Sequence, residues 1–138
     1  MIRALALSLG LMAAGCASVA SAAVVVAKGG SVRVLDRLTG AVTDYDLAPG
    51  QVQEVGKLSI RLDECRYPED TPSEAYAHLT ISDTAQVEPV FKGWMIASSP
   101  GLNALDHPRY DVWVLHCDVP AAAQAPADST NSGSGFGG

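Results

Sequence analysis

Three histidines, His78, His107 and His116, with Asp106 and Asp111, are the residues of this chain whose types could bind a metal ion. Neutral imidazoles and carboxylates are the ligands zinc takes, three or four of them converging on one point. The spacing does not help: no H-x-x-x-H or similar short ligand pair occurs. His107, with Ser98 or Ser99 and Asp111, also supplies the residue types of a nucleophile, a general base and a group that orients it. Neither serine sits in a G-x-S-x-G elbow. Ser99 has a simpler role, as the N-cap of a helical turn with Pro100 in the first helical position. His107 has one too, bonding the backbone of its own loop.

Two further sets are chemically suggestive. Glu69, Asp70 and Glu74, near Asp63 and Glu64, could offer oxygens to calcium, but the spacing is not that of an EF-hand loop. An acidic loop is ordinarily just solvated. Trp94, Tyr110, Trp113 and Phe91 could form a platform for a sugar or peptide, and they could equally fill a core. Trp113 alternates with apolar neighbours and is expected in the core. Trp94 follows Gly93 and is the better surface candidate.

These residues must be held by short strands. Val32 and Val34 share one face of a strand over 31–36. Thr39-Gly40 then carries a turn, and 42–47 resumes with β-branched and aromatic residues, which predicts a hairpin. A short polar strand over 51–55 ends at Gly56. Leu58, Ile60 and Leu62 alternate with polar residues up to Cys65, and Ala75, Ala77, Leu79 and Ile81 alternate with Tyr76, His78 and Thr80. The run 90–97 is more continuously apolar and is expected to be buried on both faces, as is 110–117. Between them, 98–108 breaks the pattern. Ser99-Pro100 opens one short helical turn with Leu102 and Leu105 on its inner face, and Pro108 ends it. Many short strands and almost no helix mean an all-β fold, a small antiparallel-rich β-sandwich or barrel with one short helical turn in a loop.

The two ends read differently. Arg3 followed by an apolar run and then Ala20-Ser21-Ala22 has the form of a secretory signal over residues 1–22, too short for a good membrane span. Cleavage there would release a soluble chain starting near Ala23. Ala13-Ala14-Gly15-Cys16 alternatively resembles a lipobox, which would anchor the protein by a lipid on Cys16. Residues 23–30, with Gly29-Gly30, form a flexible lead-in, and residues 31–118 form the β domain. Residues 119–138, rich in Ala, Pro, Ser, Asn and Gly, bury too little apolar surface to fold and are expected to be disordered.

The formal net charge is −6 and no basic stripe exists, so nucleic acid is excluded as a partner. Of the three cysteines, Cys16 belongs to the leader or the anchor, which leaves Cys65 and Cys117 to form a disulfide in an oxidising compartment. No C-x-x-C supports a redox role, and no cofactor motif is present. Both cysteines fall at the C-terminal ends of predicted strands. Antiparallel neighbours in register would put those ends at opposite edges of a sheet. The two strands must therefore be parallel or lie in different layers. Cys65 also has the wrong parity for the Leu58–Ile60–Leu62 face, so a bulge or strand end must turn it inward.

The stretch running Phe91-Lys92-Gly93-Trp94-Met95-Ile96-Ala97-Ser98-Ser99-Pro100, through Leu102, Ala104-Leu105 and His107-Pro108, to Tyr110-Asp111-Val112-Trp113 and Cys117 closely resembles the signature of domain of unknown function 2155 (DUF2155). Leu35-Asp36-Arg37, Thr39-Gly40, Gly56, Leu58 and Cys65 fit the same family, so the resemblance covers about Ser31 to Cys117. Ile96 stands where the family usually has Phe, and Pro68 and Pro72 are single where relatives often show a pair. The resemblance implies an exported alphaproteobacterial envelope protein and carries no catalytic residues with it.

The function expected from all this is a non-catalytic periplasmic protein that binds an envelope protein or polysaccharide, with no transmembrane span after signal cleavage. Lipid anchoring through Cys16 and secretion are the alternative locations. Trp94, Ser98, Ser99, His107 and Asp111 are the candidate binding residues, because function tends to sit on structured loops held by a rigid sheet. A small hydrolase or metal-dependent enzyme built around His107 is one alternative, and a carbohydrate-binding module using Trp94 is another.

Overall fold

The computed structural model describes residues 15–19 and 21–121, so most of the expected leader and nearly all of the expected tail lie outside the described residues. The strands are β1 (Val24–Val26), β2 (Gly30–Asp36), β3 (Val42–Leu47), β4 (Val52–Val55), β5 (Leu58–Pro68), β6 (Tyr76–Asp83), β7 (Phe91–Ile96) and β8 (Tyr110–Cys117). They form two antiparallel sheets that pack face to face. The larger has five strands in the order β1-β5-β6-β7, with β4 also on β5, and the smaller has the order β3-β2-β8. The open edges make it a sandwich; the barrel alternative does not hold.

β5 organises the larger sheet. It is 11 residues long, so β4 can pair with its first part and β1 with its last, while β6 runs along the other edge. The alternating pattern works as expected: Leu58, Ile60, Leu62, Ala77, Leu79 and Ile81 are each 0% exposed. Val32, Val34, Val112 and Val114 face them from the smaller sheet. Burying each of the larger aliphatic side chains contributes roughly 1.5–3 kcal/mol.

The register of β5 on β6 shifts between Leu62 and Glu64. Before this bulge the even-numbered residues of β5 point inward; after it Cys65 and Tyr67 do. Cys65 thereby meets Cys117, at the end of β8 in the other sheet, and the two form a disulfide with α-carbons 5.7 Å apart. The bond therefore joins the two layers, one of the two arrangements that the strand ends allow.

Several expectations are corrected. Residues 24–26 of the lead-in are a strand, antiparallel to the last part of β5. Gly29 and Gly30 are buried and close-packed. A Cβ on Gly30 would lie 2.7 Å from Cys65 Sγ, and one on Gly29 would lie 2.6 Å from the Leu47 carbonyl oxygen. These glycines admit close approach of the chain; they do not supply flexibility. β5 runs past Cys65 to Pro68 because the bulge lets pairing resume.

β7 is an edge strand with only Met95 buried, and β8 also lies at an edge, with its outer face open to solvent. Trp113 is consequently half-buried on that outer face, opposite Arg33, and lies outside the core. The helical turn after Ser99 is one hydrogen-bonded turn, the Leu102 N–H donating to the Ser99 carbonyl at 3.1 Å. Leu105 is 5% exposed and packs inward, but Leu102 is 74% exposed, because the chain straightens after that turn and the two leucines share no helical face.

Candidate functional site

The loop 98–108 runs back along the β7 edge of the sandwich, from Ser98 beside Glu74, past Asn103 beside Trp94, to His107 at Asp83 at the far end of β6. His107 is its buried polar anchor at 9% exposure. Nδ1 accepts the N–H groups of Arg109 at 3.1 Å and Tyr110 at 3.2 Å. A nitrogen that accepts two N–H groups carries no proton, so the proton is on Nε2, which donates to Asp83 Oδ2 at 2.8 Å. Asp83 also accepts the Ala85 N–H at 2.8 Å. That bond, together with the one from His107, holds its carboxyl below the usual carboxylate range. Sequence reasoning missed Asp83, although it continues the inward parity of Leu79 and Ile81 at the end of β6. The loop is thus pinned to the end of β6, and both nitrogens of His107 are engaged.

The other candidate loop residues do not join His107. Ser98 Oγ donates to Glu74 Oε2 at 2.8 Å. The Ser99 hydroxyl makes no hydrogen bond to the turn it was expected to cap. Asp111 is held by the guanidinium of Arg37, whose Nε donates to Oδ2 at 2.9 Å. A reciprocal pair lies beside it, with Arg109 Nη2 donating to Asp36 Oδ2 at 2.9 Å. β2 and β8 thus exchange an Asp-Arg and an Arg-x-Asp at their adjoining ends. Arg37 reaches on to the His107 carbonyl at 3.2 Å. No serine–histidine–aspartate set forms from Ser98 or Ser99, His107 and Asp111.

Among the described residues no three His, Cys, Asp or Glu side chains are placed to hold a metal ion. His78 is instead paired with Asp63 at 2.8 Å, and His116 Nδ1 lies 3.3 Å from the Cys117 carbonyl. The acids expected as a calcium set do not converge either: Asp63 and Glu64 are taken up by Arg61 and Arg66.

The ion pairs have a consequence for acid stability. The Arg109 guanidinium beside Asp36 holds that carboxyl down to about 2, against an ordinary 3.8. Asp44 is lowered by Arg33. A carboxyl depressed in the folded state stabilises the fold above its unfolded pKa, and that contribution is lost as the pH falls through its folded value. Melting temperature should therefore fall steeply between pH values of about 4 and 2. Asp36→Asn should flatten that part of the profile in thermal melts; an unchanged slope would show that the pair does not set it.

A second polar group lies on the outer face of the larger sheet. Glu64, His78 and Trp94 form one cross-strand row, and Arg66, Tyr76 and Ile96 form the next. The Trp94 indole, half-buried, meets Tyr76 at 5.3 Å and His78 at 5.2 Å, both edge to face. The Arg66 guanidinium lies over it at 5.5 Å and is paired with Glu64 at 2.6 Å. Asp63, turned outward before the bulge, accepts from Thr80 at 2.6 Å and Arg61 at 2.6 Å. Burial opposes its ionisation, and hydrogen bonds from Thr80, His78 and Arg61 outweigh that, keeping the carboxyl below its ordinary range. Asn103 Nδ2 donates to the Trp94 carbonyl at 2.8 Å, which fixes the loop to this edge strand. A sugar ring stacking on Trp94 would have to share the indole with Arg66.

The architecture is that of a small antiparallel β-sandwich whose two layers are joined by a disulfide. Residues 30–117 match the family described as "Uncharacterized protein conserved in bacteria (DUF2155)", and the chain belongs to that family. It is similar to the uncharacterized protein RP359 of Rickettsia prowazekii (strain Madrid E), with 26% identity over 92 residues. That match covers 64% of this chain and 59% of the relative, so it spans less than two thirds of the relative's length. No solved structure matches the chain.

Proposed function

We propose that the chain is an exported, non-catalytic envelope domain that binds a protein or other envelope component through the outer face of its larger sheet. The observation that carries this reading is the Trp94–Tyr76–His78–Arg66 group, set on rigid paired strands and facing solvent. Trp, Tyr and Arg are the side chains that dominate binding energy at interfaces. A sheet holds them in place, so little ordering entropy is lost on binding. Export is supported by Arg3, the apolar run after it and Ala20-Ser21-Ala22, and by a disulfide of a kind that persists in oxidising compartments. Among the described residues no helix is long and apolar enough to cross a membrane. Release near Ala23 and lipid attachment at Cys16 are the two processing routes, and the intact mass of the envelope form separates them.

The binding test is crosslinking of the tagged chain in its native envelope, followed by recovery of partners. Trp94→Ala and Arg66→Ala should each reduce recovery of the main crosslinked species by about tenfold, corresponding to ~1.4 kcal/mol, as expected of an interface anchor. Their melting temperatures should stay within a few degrees of the parent. Undiminished recovery with both variants would remove the Trp94 face from the function.

A further inference from the structure

The smaller sheet ends at β3, and β4 pairs only with β5, so the sandwich is open between these two strands. A cleft of about 300 Å³ lies there, lined among others by Val34, Thr43, Tyr45, Val55, Arg109 and Tyr110. Tyr110 is its unusual member. The side chain is only 4% exposed, yet its hydroxyl makes no hydrogen bond to any described residue. A buried tyrosine ordinarily finds a partner for its O–H. No fully enclosed side-chain oxygen or nitrogen among the described residues lacks a partner, so this hydroxyl opens onto the cleft.

Its position is built. The ring rests against His107 at 5.6 Å and under the Arg109 guanidinium at 5.1 Å. The hydroxyl sits against Gly56, which has φ +56° and where any Cβ would collide with it. Only a glycine accommodates both the left-handed turn and the close oxygen.

We propose that this cleft binds a single neutral, hydroxyl-bearing ring of monosaccharide size. Its three hydroxyls, from Tyr110, Tyr45 and Thr43, have no partner among the described residues, and each can both donate and accept, as the hydroxyls of a sugar do. Arg109 is already matched by Asp36, so the wall carries no net charge to select an ion. Val55, half-buried, offers an apolar surface to the C–H face of the ring. The volume is at the lower limit of small-molecule sites, about 300 Å³. The site is separate from the Trp94 face and stands or falls independently of it.

The test is a titration of the isotopically labelled full chain with methyl β-glucoside and with N-acetylglucosamine at millimolar concentrations, followed by amide NMR. Saturable shifts should centre on Tyr45, Gly56 and Tyr110. Tyr110→Phe should weaken binding at least tenfold without changing the melting temperature, because the hydroxyl it removes holds nothing in the fold. Ala41→Trp, at the exposed cleft wall, should abolish binding. No saturable shift with either sugar would overturn the proposal, as would shifts centred on Trp94 or binding that survives Tyr110→Phe. Equal binding of sodium acetate would overturn the assigned ligand class. A drop of several degrees in the melting temperature of Tyr110→Phe would assign the hydroxyl a structural role and overturn the site.

Discussion

Cys117→Ser is expected to lower the melting temperature by about 15–30 °C, because it removes the disulfide that cross-links the two sheets of a small domain. Cys65 and Cys117 are 52 positions apart in sequence. Closing a loop of that size restricts the unfolded chain by roughly 4 kcal/mol in the chain-entropy model. A domain of this size has a total stability on the order of 5–15 kcal/mol, so the loss is a large fraction of the whole. The substitution is otherwise mild. Cys117 Sγ lies 3.3 Å from the Arg66 carbonyl oxygen, so a serine hydroxyl in its place has an acceptor and is not stranded in the core. Thermal melts with and without reductant measure the effect, and the two treatments should converge for the variant. Alkylation of the denatured, non-reduced parent, mapped by peptide so that Cys16 is counted apart, checks the bond itself. Reactive thiols at both Cys65 and Cys117, in protein taken from an oxidising compartment, would refute it.

Most of the strand framework is legible in the sequence because one face of each strand is buried. Where Leu58-Ser59-Ile60-Arg61-Leu62 alternates, burial alternates with it, and the parity break before Cys65 calls for a bulge or a strand end, of which the register shows the bulge. The disulfide then requires the two strands to be parallel or to lie in different layers, and they lie in different layers. What the alternation does not contain is the position of a strand within its sheet. The 90–97 and 110–117 runs are apolar at nearly every position, which reads as burial on both faces. They are edge strands, and the excess apolar side chains, Trp94 and Trp113, lie on outer faces. Glycine pairs are ambiguous for a similar reason. Gly29-Gly30 reads as slack chain, although its role is to let backbone pass beside Cys65 Sγ and the Leu47 carbonyl, a tertiary contact invisible locally. The candidate site was half legible: Trp94 and His107 stand out by type. The partners that define them, Tyr76, His78, Arg66 and Asp83, come from other strands and are found only once the register is known.

His107 is where the functional and the structural readings of the loop give opposite predictions. A catalytic or ligand-binding histidine keeps one nitrogen available. Here Nδ1 gathers the Arg109 and Tyr110 N–H groups and Nε2 is tied to Asp83, so the imidazole replaces the backbone bonds that the His-Pro break removes. His107→Ala leaves those N–H groups without their acceptor beside a cavity, a loss of about 3 kcal/mol. In a domain this small the melting temperature should fall by roughly 12–24 °C. His107→Asn separates the causes. An asparagine Oδ1 can accept N–H groups two and three residues ahead in its own turn, as Asx turns do, but it is too short to reach Asp83. It should recover about half of the loss, on the order of 1–1.5 kcal/mol, the net value of a neutral hydrogen bond or two. Denaturant midpoints of the three proteins decide the matter. Equal stability of His107→Ala and the parent would mean that the loop does not depend on this anchor and would return His107 to the list of functional candidates. Equal loss in His107→Ala and His107→Asn would place the whole effect in the Asp83 bond, with none in the turn.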